Sequence, residues 1–167
     1  RGDLRRIDFW HVEGVLAITR ATEGHGRVQL PGIDVMRSFE WLRIAPLSEP
    51  GAEPRDYRLA LSVPGQYPVP GTGSTLCLEL MEMTGQNWPE SGYNARGCGL
   101  DWQHVPGPIE LRNWRPGDQY RPVGLASEEK IKVLFQRARV PSWERRRWPV
   151  ITCGEVILWA RRFGPAA

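Results

Sequence analysis

The sequence predicts an α+β fold dominated by strands: an N-terminal helix, then antiparallel strands, then a compact C-terminal β-α-β-β module. Two windows carry apolar residues at helical spacing, one through Val12, Val15, Leu16 and Thr19 and one through Ile131, Leu134, Phe135 and Ala138. Alternating apolar residues recur between and after them, which is the pattern of half-buried strands. Glycine and proline, 18 and 15 of 167 residues, punctuate the chain so often that its elements must be short.

The first helix is expected within "IDFWHVEGVLAITRATEGHG", with Asp8 as N-cap and Gly24 and Gly26 as the stop. Strand chemistry follows. Val28 and Leu30 alternate, Pro31-Gly32 turns, Ile33 and Val35 alternate, and Leu42 and Ile44 continue the pattern. "SEPGAEPRD" at 48–56 reads as a polar loop. Tyr57, Leu59, Leu61 and Val63 mark a strand, "PGQYPVPGTG" a rigid connection, and Leu76, Leu78 and Leu80 another strand. From Thr84 to Pro108 no period is visible, and the expectation is loop with one short strand at most. Ile109 and Leu111 then open a strand, Ser127 is placed as cap of the second helix, and Val140-Pro141 ends it. "PVITCGEVILWA" reads as a hairpin turning at Gly154-Glu155. Three stretches result: a helical one at 1–26, a β-rich middle at 27–108, and a module at 109–165.

Composition excludes several classes of protein. No apolar run nears the ~20 residues of a membrane helix, and no signal-peptide pattern is present, so no membrane partner is expected. The chain opens at Arg1 rather than Met, which reads as an excised fragment. Cys77, Cys98 and Cys153 are odd in number and widely spaced, which suits a reducing, cytoplasmic setting better than a disulfide framework. No C-x-x-C occurs, and His11, His25 and His104 lie far apart, so no metal site is expected. No His–carboxylate–nucleophile set stands out, and no catalytic residue is assigned.

The net charge of +3 hides an asymmetry. Residues 1–108 hold 10 Lys+Arg and 13 Asp+Glu, whereas residues 109–167 hold 12 and 6. A near-neutral scaffold with a basic working end points to an anionic partner, and the dominance of arginine points to phosphate. The sharpest expression of this is "RNWRPGDQYRPVG" at 112–124. There Arg112, Arg115 and Arg121 surround a Pro-Gly-Asp and end at Pro122-x-Gly124. Pro116, Gly117, Pro122 and Gly124 stiffen the backbone, so little entropy is lost when such a loop binds. Asp118 reads as a structural residue that closes the turn through backbone N–H groups.

These residues resemble a known family. "LRNWRPGDQYRPVG", "EKIKVLF", "VPSWERRRWPVI" and "GEVILWA", in that order, are similar to the C-terminal domain of tRNA(Ile)-lysidine synthetases. The positions that carry the likeness are Arg112, Gly117, Asp118, Pro122, Gly124, Lys130, Lys132, Phe135, Pro141, Arg145, Pro149, Gly154, Ile157 and Trp159. Upstream, "IDFWHVEGVL" and "GRVQLPGIDV" look like the segment that follows the family's catalytic domain, which would make 1–26 a connector. The likeness is strongest over 109–160 and weak between about 48 and 100. It implies a parent ligase that uses ATP with magnesium to join lysine to the wobble cytidine of isoleucine tRNA. The family's S-G-G-x-D-S pyrophosphate loop has no counterpart here. "PGTGST" at 70–75 lacks its Asp and reads as a turn. The implication is a fragment that is inactive alone, holds no cofactor, and positions the tRNA body through its acceptor stem.

The nucleic-acid-binding candidates are therefore Arg112, Arg115, Arg121, Lys130, Lys132, Arg137, Arg145, Arg146 and Arg147, with Gly117, Asp118, Pro122 and Gly124 holding the turn. Each has a plainer alternative. The arginines of 112–121 also suit a solvated strand end, and Lys132 also suits the rim of an amphipathic helix. Within "WERRRW" three adjacent arginines cannot all face one way, and Arg145 is the one expected to turn inward. Trp114, Trp143 and Trp148 read first as core cover with one wet edge, against stacking on unpaired bases. The partners expected are isoleucine tRNA, the catalytic domain of the parent and a possible second copy. The alternative from another class is a structural or dimerisation module whose apolar β-surface, between 27 and 83, packs on another protein body without touching RNA.

Overall fold

Asp8 begins the first element. Its carboxylate accepts the backbone N–H of His11 at 3.0 Å while its own backbone N–H donates to His11 Nδ1 at 3.1 Å. This reciprocal cap satisfies two amides that have no helical partner. It starts α1 (Phe9–Arg20), in a computed structural model that describes residues 7–22, 24–47, 56–82 and 98–167. Three antiparallel strands follow in the order they occur: β1 (His25–Leu30), β2 (Ile33–Ser38) and β3 (Trp41–Pro46). Leu30 faces Ile33 across the Pro31-Gly32 turn, where Gly32 takes a φ of +75° that a side chain would resist. Gly26 lets the helix lie close, because a Cβ there would meet Ile18 at 3.0 Å. Arg37 of β2 donates to Ile18 O and Ala21 O at 2.7 and 2.6 Å, which places a cation on the last carbonyls of α1. Together these form the first of two compact units, residues 1–53.

The second unit, residues 54–167, contains β4 (Arg58–Leu61), β5 (Gly65–Val69), β6 (Ser74–Leu78), β7 (Ile109–Asn113), β8 (Gln119–Tyr120) and β9 (Glu129–Lys130). After them come α2 (Ile131–Arg137), α3 (Ser142–Arg145), β10 (Pro149–Cys153), β11 (Val156–Ala160) and β12 (Gly164–Pro165). A five-stranded antiparallel sheet in the order β12-β11-β10-β7-β4 is its spine. Period-two alternation divides the sheet's side chains between two cores. Leu61, Ile109, Leu111 and Ile151 pack with Val69, Tyr67, Leu76 and Leu78 of the β5–β6 hairpin. On the other core, Val150, Ile157 and Ala160 pack with Ile131, Leu134 and Phe135 of α2 and with Trp148. Phe135 is the hub, with Trp114 and Trp148 edge-on at centroid distances of 5.0 and 5.2 Å.

The β-rich α+β architecture with an N-terminal helix matches the expected class, and several elements differ in detail. "PGQYPVPGTG" is strand β5 and its turn, not a plain connection. Pro68 is tolerated because, among the described residues, β5 has a neighbour on one side only. Ser127 does not cap α2; β9 intervenes, and the helix starts after Lys130. The middle stretch expected at 27–108 is divided at Glu53/Pro54, since β4 pairs with β7. Most of the Thr84–Pro108 segment lies outside the described residues; at its end Trp102–His104 form one 3₁₀ turn. Among the described residues no helix is long and apolar enough to cross a membrane.

Candidate nucleic-acid interface

Strand β7 delivers Arg112 inward. Opposite Val150 on β10, its guanidinium lies on the side covered by α2, and the residue is 3% exposed. Nη1 and Nη2 donate to the two Asp118 carboxylate oxygens at 2.7 and 2.9 Å, a bidentate pair, and Nη1 also reaches Asn113 O at 3.0 Å. Asp118 accepts the Arg115 backbone N–H at 2.7 Å as well. Arg112 is thus corrected from a phosphate contact to an internal brace. Its register position buries it, and a buried guanidinium must be paired. The brace fixes the turn 114–118, in which Gly117 has a φ of +101°.

The same turn gathers the start of α2. Ile131 N–H donates to Asp118 O at 3.0 Å, and Gln119 pairs with Lys130 across β8 and β9. The result is a cleft of about 340 Å³ lined by Trp114, Pro116, Gly117, Asp118, Lys130 and Lys132. Lys130 and Lys132 are exposed, as are Arg115 and Arg121. None of these four carries a side-chain hydrogen bond or ion pair among the described residues. Asp118 brings little free negative charge to the cleft, since both its oxygens are already engaged.

The remaining candidates divide. Arg137 is exposed but donates to Glu129 at 2.7 Å, which offsets its charge. Arg145 turns inward: Nε donates to Val140 O at 2.9 Å, and the guanidinium stands 5.8 Å from the Phe135 ring centre. Burial holds its pKa below the ordinary arginine value. Arg145 is therefore a packing residue that seals α3 onto the core. Arg146 is exposed. Arg147 is half-buried and donates to Gly71 O at 2.8 Å, lying so close that a Cβ on Gly71 would meet its Cδ at 2.9 Å. Arg147 is accordingly a tie to the β5–β6 turn. Pro122 is buried and bridges to Ala166, and Gly124 takes a φ of +93° in the following turn. Trp148 is core, with its indole N–H donating to Arg161 O at 3.0 Å.

Sequence reasoning placed Lys130 and Lys132 correctly at the surface but did not join them to Trp114 and Pro116. The signal was an aromatic residue set between arginines in a Pro-Gly turn. Only the β8–β9 pairing, which has no sequence signature at two residues per strand, brings the lysines alongside it.

Residues 109–167 match the family model described as the TilS substrate C-terminal domain. The chain is 52% identical over 170 residues to the tRNA(Ile)-lysidine synthase of Solibacter usitatus, covering 100% of this chain and 37% of that protein. It is 32% identical to the tRNA(Ile)-lysidine synthases of Symbiobacterium thermophilum and Geobacter sulfurreducens, with 92% and 95% of this chain covered and 35% and 33% of those proteins. The chain thus spans about a third of the length of these relatives. Among solved structures, a crystal structure of a TilS C-terminal domain aligns with a TM-score of 0.54 and 28% identity, over 68% of this chain and 84% of that one.

Proposed function

The chain belongs to the tRNA(Ile)-lysidine synthase family as its C-terminal region, with the TilS substrate C-terminal domain at 109–167, and from that membership we propose that it holds isoleucine tRNA for the parent enzyme. One observation carries this reading: Arg115, Lys130 and Lys132 stand exposed on and beside a turn that the buried Arg112–Asp118 pair keeps rigid. A stiff turn presents these cations to phosphate without the backbone first having to be ordered, and A-form RNA is recognised by its backbone and shape rather than by its bases. Arg121 and Arg146 extend the same role. The chain contributes positioning. Holding the tRNA body, through the acceptor stem, lets a distant reacting base meet the catalytic machinery. Joining of lysine to the wobble cytidine, with ATP and magnesium, belongs to the remainder of the parent, in the cytoplasm. Filter binding of isoleucine tRNA across a salt series tests the reading. Affinity should fall steeply with salt, and changing Arg115, Lys130 and Lys132 together to alanine should flatten that slope. A salt-independent affinity ends the reading.

A second reading rests on the first unit, where Phe9, Trp10, Trp41 and Ile44 are each more than half exposed. Such side chains suit packing against another protein body, either the rest of the parent or a second copy. Light scattering distinguishes them: a dimer that forms with RNA binding unimpaired assigns packing to this unit and RNA to the other.

A further inference from the structure

The lysine distribution is unusual. Of 22 basic residues, Lys130 and Lys132 are the chain's two lysines, and both line the cleft that Trp114 walls on one side. Trp114 is held on two sides. Its backbone N–H donates to Trp148 O at 2.9 Å, and its ring meets Phe135 edge-on at 87°. At about 340 Å³ the cleft falls inside the ~300–1,000 Å³ range of small-ligand sites. With Asp118 engaged by Arg112 and by the Arg115 amide, the charges left free to act there are cationic.

We propose that this cleft takes a single unpaired nucleotide of the bound RNA, with its base against Trp114 and its phosphates between Lys130 and Lys132. The inference rests on the RNA-binding reading above and adds a class of substrate feature to it. The interior of a duplex cannot supply this ligand, because stacked, paired bases there present only edges and backbone to a protein surface. An unstacked nucleotide at a strand end presents both a π-face and a mobile phosphate. Stacking on a ring that is already immobile costs little ordering, and it tolerates any base. The lysine heads, as rotatable point charges, can follow a flexible single strand where a fixed guanidinium fork would demand one geometry.

The test uses the full 167-residue chain and two RNA hairpins with the same stem, one blunt and one with a short 3′ single-stranded overhang. Fluorescence anisotropy should show the overhang hairpin binding about tenfold tighter, in keeping with one stacked base. Trp114→Leu should bring the ratio of the two affinities to about one, and Trp114→Phe should keep most of it. Acetylation with an N-hydroxysuccinimide ester, read by mass spectrometry, targets amines, which among the side chains are Lys130 and Lys132, and the overhang should protect both beyond what the blunt hairpin does. Equal affinities for the two hairpins, with salt-dependent binding of both, would overturn the cleft assignment and leave the RNA surface standing. Failure of both to bind would overturn the surface reading and the cleft with it. Adenosine monophosphate filling the cleft as tightly as the overhang would make it a free-nucleotide site and overturn the assignment to RNA.

Discussion

In the unit built on α1 and β1–β3, Val35 and Ser38 are the only buried residues among those described, whereas the second unit encloses Leu111, Val150, Ile131, Phe135 and Val140 on two sides of one sheet. Both units have antiparallel strands and a helix. They differ in coverage. The five-stranded sheet has the β5–β6 hairpin over one set of its alternating side chains and α2 with its aromatic neighbours over the other. The three-stranded sheet has α1 against it, and β3 leaves Trp41, Leu42 and Ile44 exposed. Apolar area removed from water is the main source of stability. The second unit can therefore afford a buried ion pair under the 114–118 turn. The first unit shows the opposite design, a surface still to be covered.

The largest effect expected separates the two at their centres. Phe135→Ala removes the hub of the aromatic cluster and should cost about 3–5 kcal/mol in urea unfolding followed by circular dichroism. Ile44→Ala, on an exposed position of β3, should change stability by less than about 0.5 kcal/mol. Similar costs for the two would break the comparison. Amide exchange offers the same contrast without mutation, with β7 and β10 protected far beyond β1–β3.

Ion pairs give the next contrast. Arg112 and Asp118 have side chains 4% and 13% exposed, while Arg27 in the Arg27–Asp34 pair of the first unit is 56% exposed. Asp118→Asn leaves a guanidinium buried without its counter-charge and should cost about 3 kcal/mol. Asp34→Asn should cost much less, and less still in high salt. Thermal melts at low and high salt check both.

The contrast between the units also separates what the sequence disclosed from what it hid. Alternation announced β1, β2, β3, β4, β6, β7 and the β10–β11 hairpin, because each is long enough to show a period. Asp8 announced α1 because its cap is local, within three residues. The hidden parts depend on distant partners. β8 and β9 are two residues each and exist through pairing with each other, and β5 looked like a connection because its one proline, Pro68, matters only where a second neighbour needs an N–H. The site was half legible for the same reason. Arginine-rich turns can be read along the chain, but whether a given guanidinium faces water depends on strand register. That register put Arg112 inside, while Arg115, in the turn beyond the end of β7, stays outside.

Binding should discriminate the units by salt dependence more than by raw affinity. Lys130→Ala and Lys132→Ala should each lower the slope of log affinity for tRNA against log salt by about one. Arg137→Ala should lower it less, since Glu129 already offsets that charge. Arg43→Ala, exposed on β3 of the first unit, should leave it unchanged. A slope that falls as much for Arg43 as for the lysines would mean that the RNA surface crosses both units, and the division of labour would have to be redrawn.

The smallest effect expected acts on the second unit alone. Tyr57 donates to Arg147 O at 3.3 Å, and burial pushes its pKa from 10.0 to about 12. The folded state thus holds this proton more tightly than the unfolded chain does. Its contribution to stability is complete below pH 10 and disappears as pH rises through 12. Because the residue is only half-buried, solvent screening limits the contribution to roughly 1 kcal/mol. Residues 1–53 contain no tyrosine, lysine or cysteine. Alkali should therefore weaken the second unit selectively, although it is the more stable one at neutral pH. Denaturant midpoints measured between pH 9 and 12 should fall for the wild-type chain and fall less for Tyr57→Phe. Equal slopes for the two chains would take Tyr57 out of the account and leave the alkaline sensitivity, if any, to groups elsewhere.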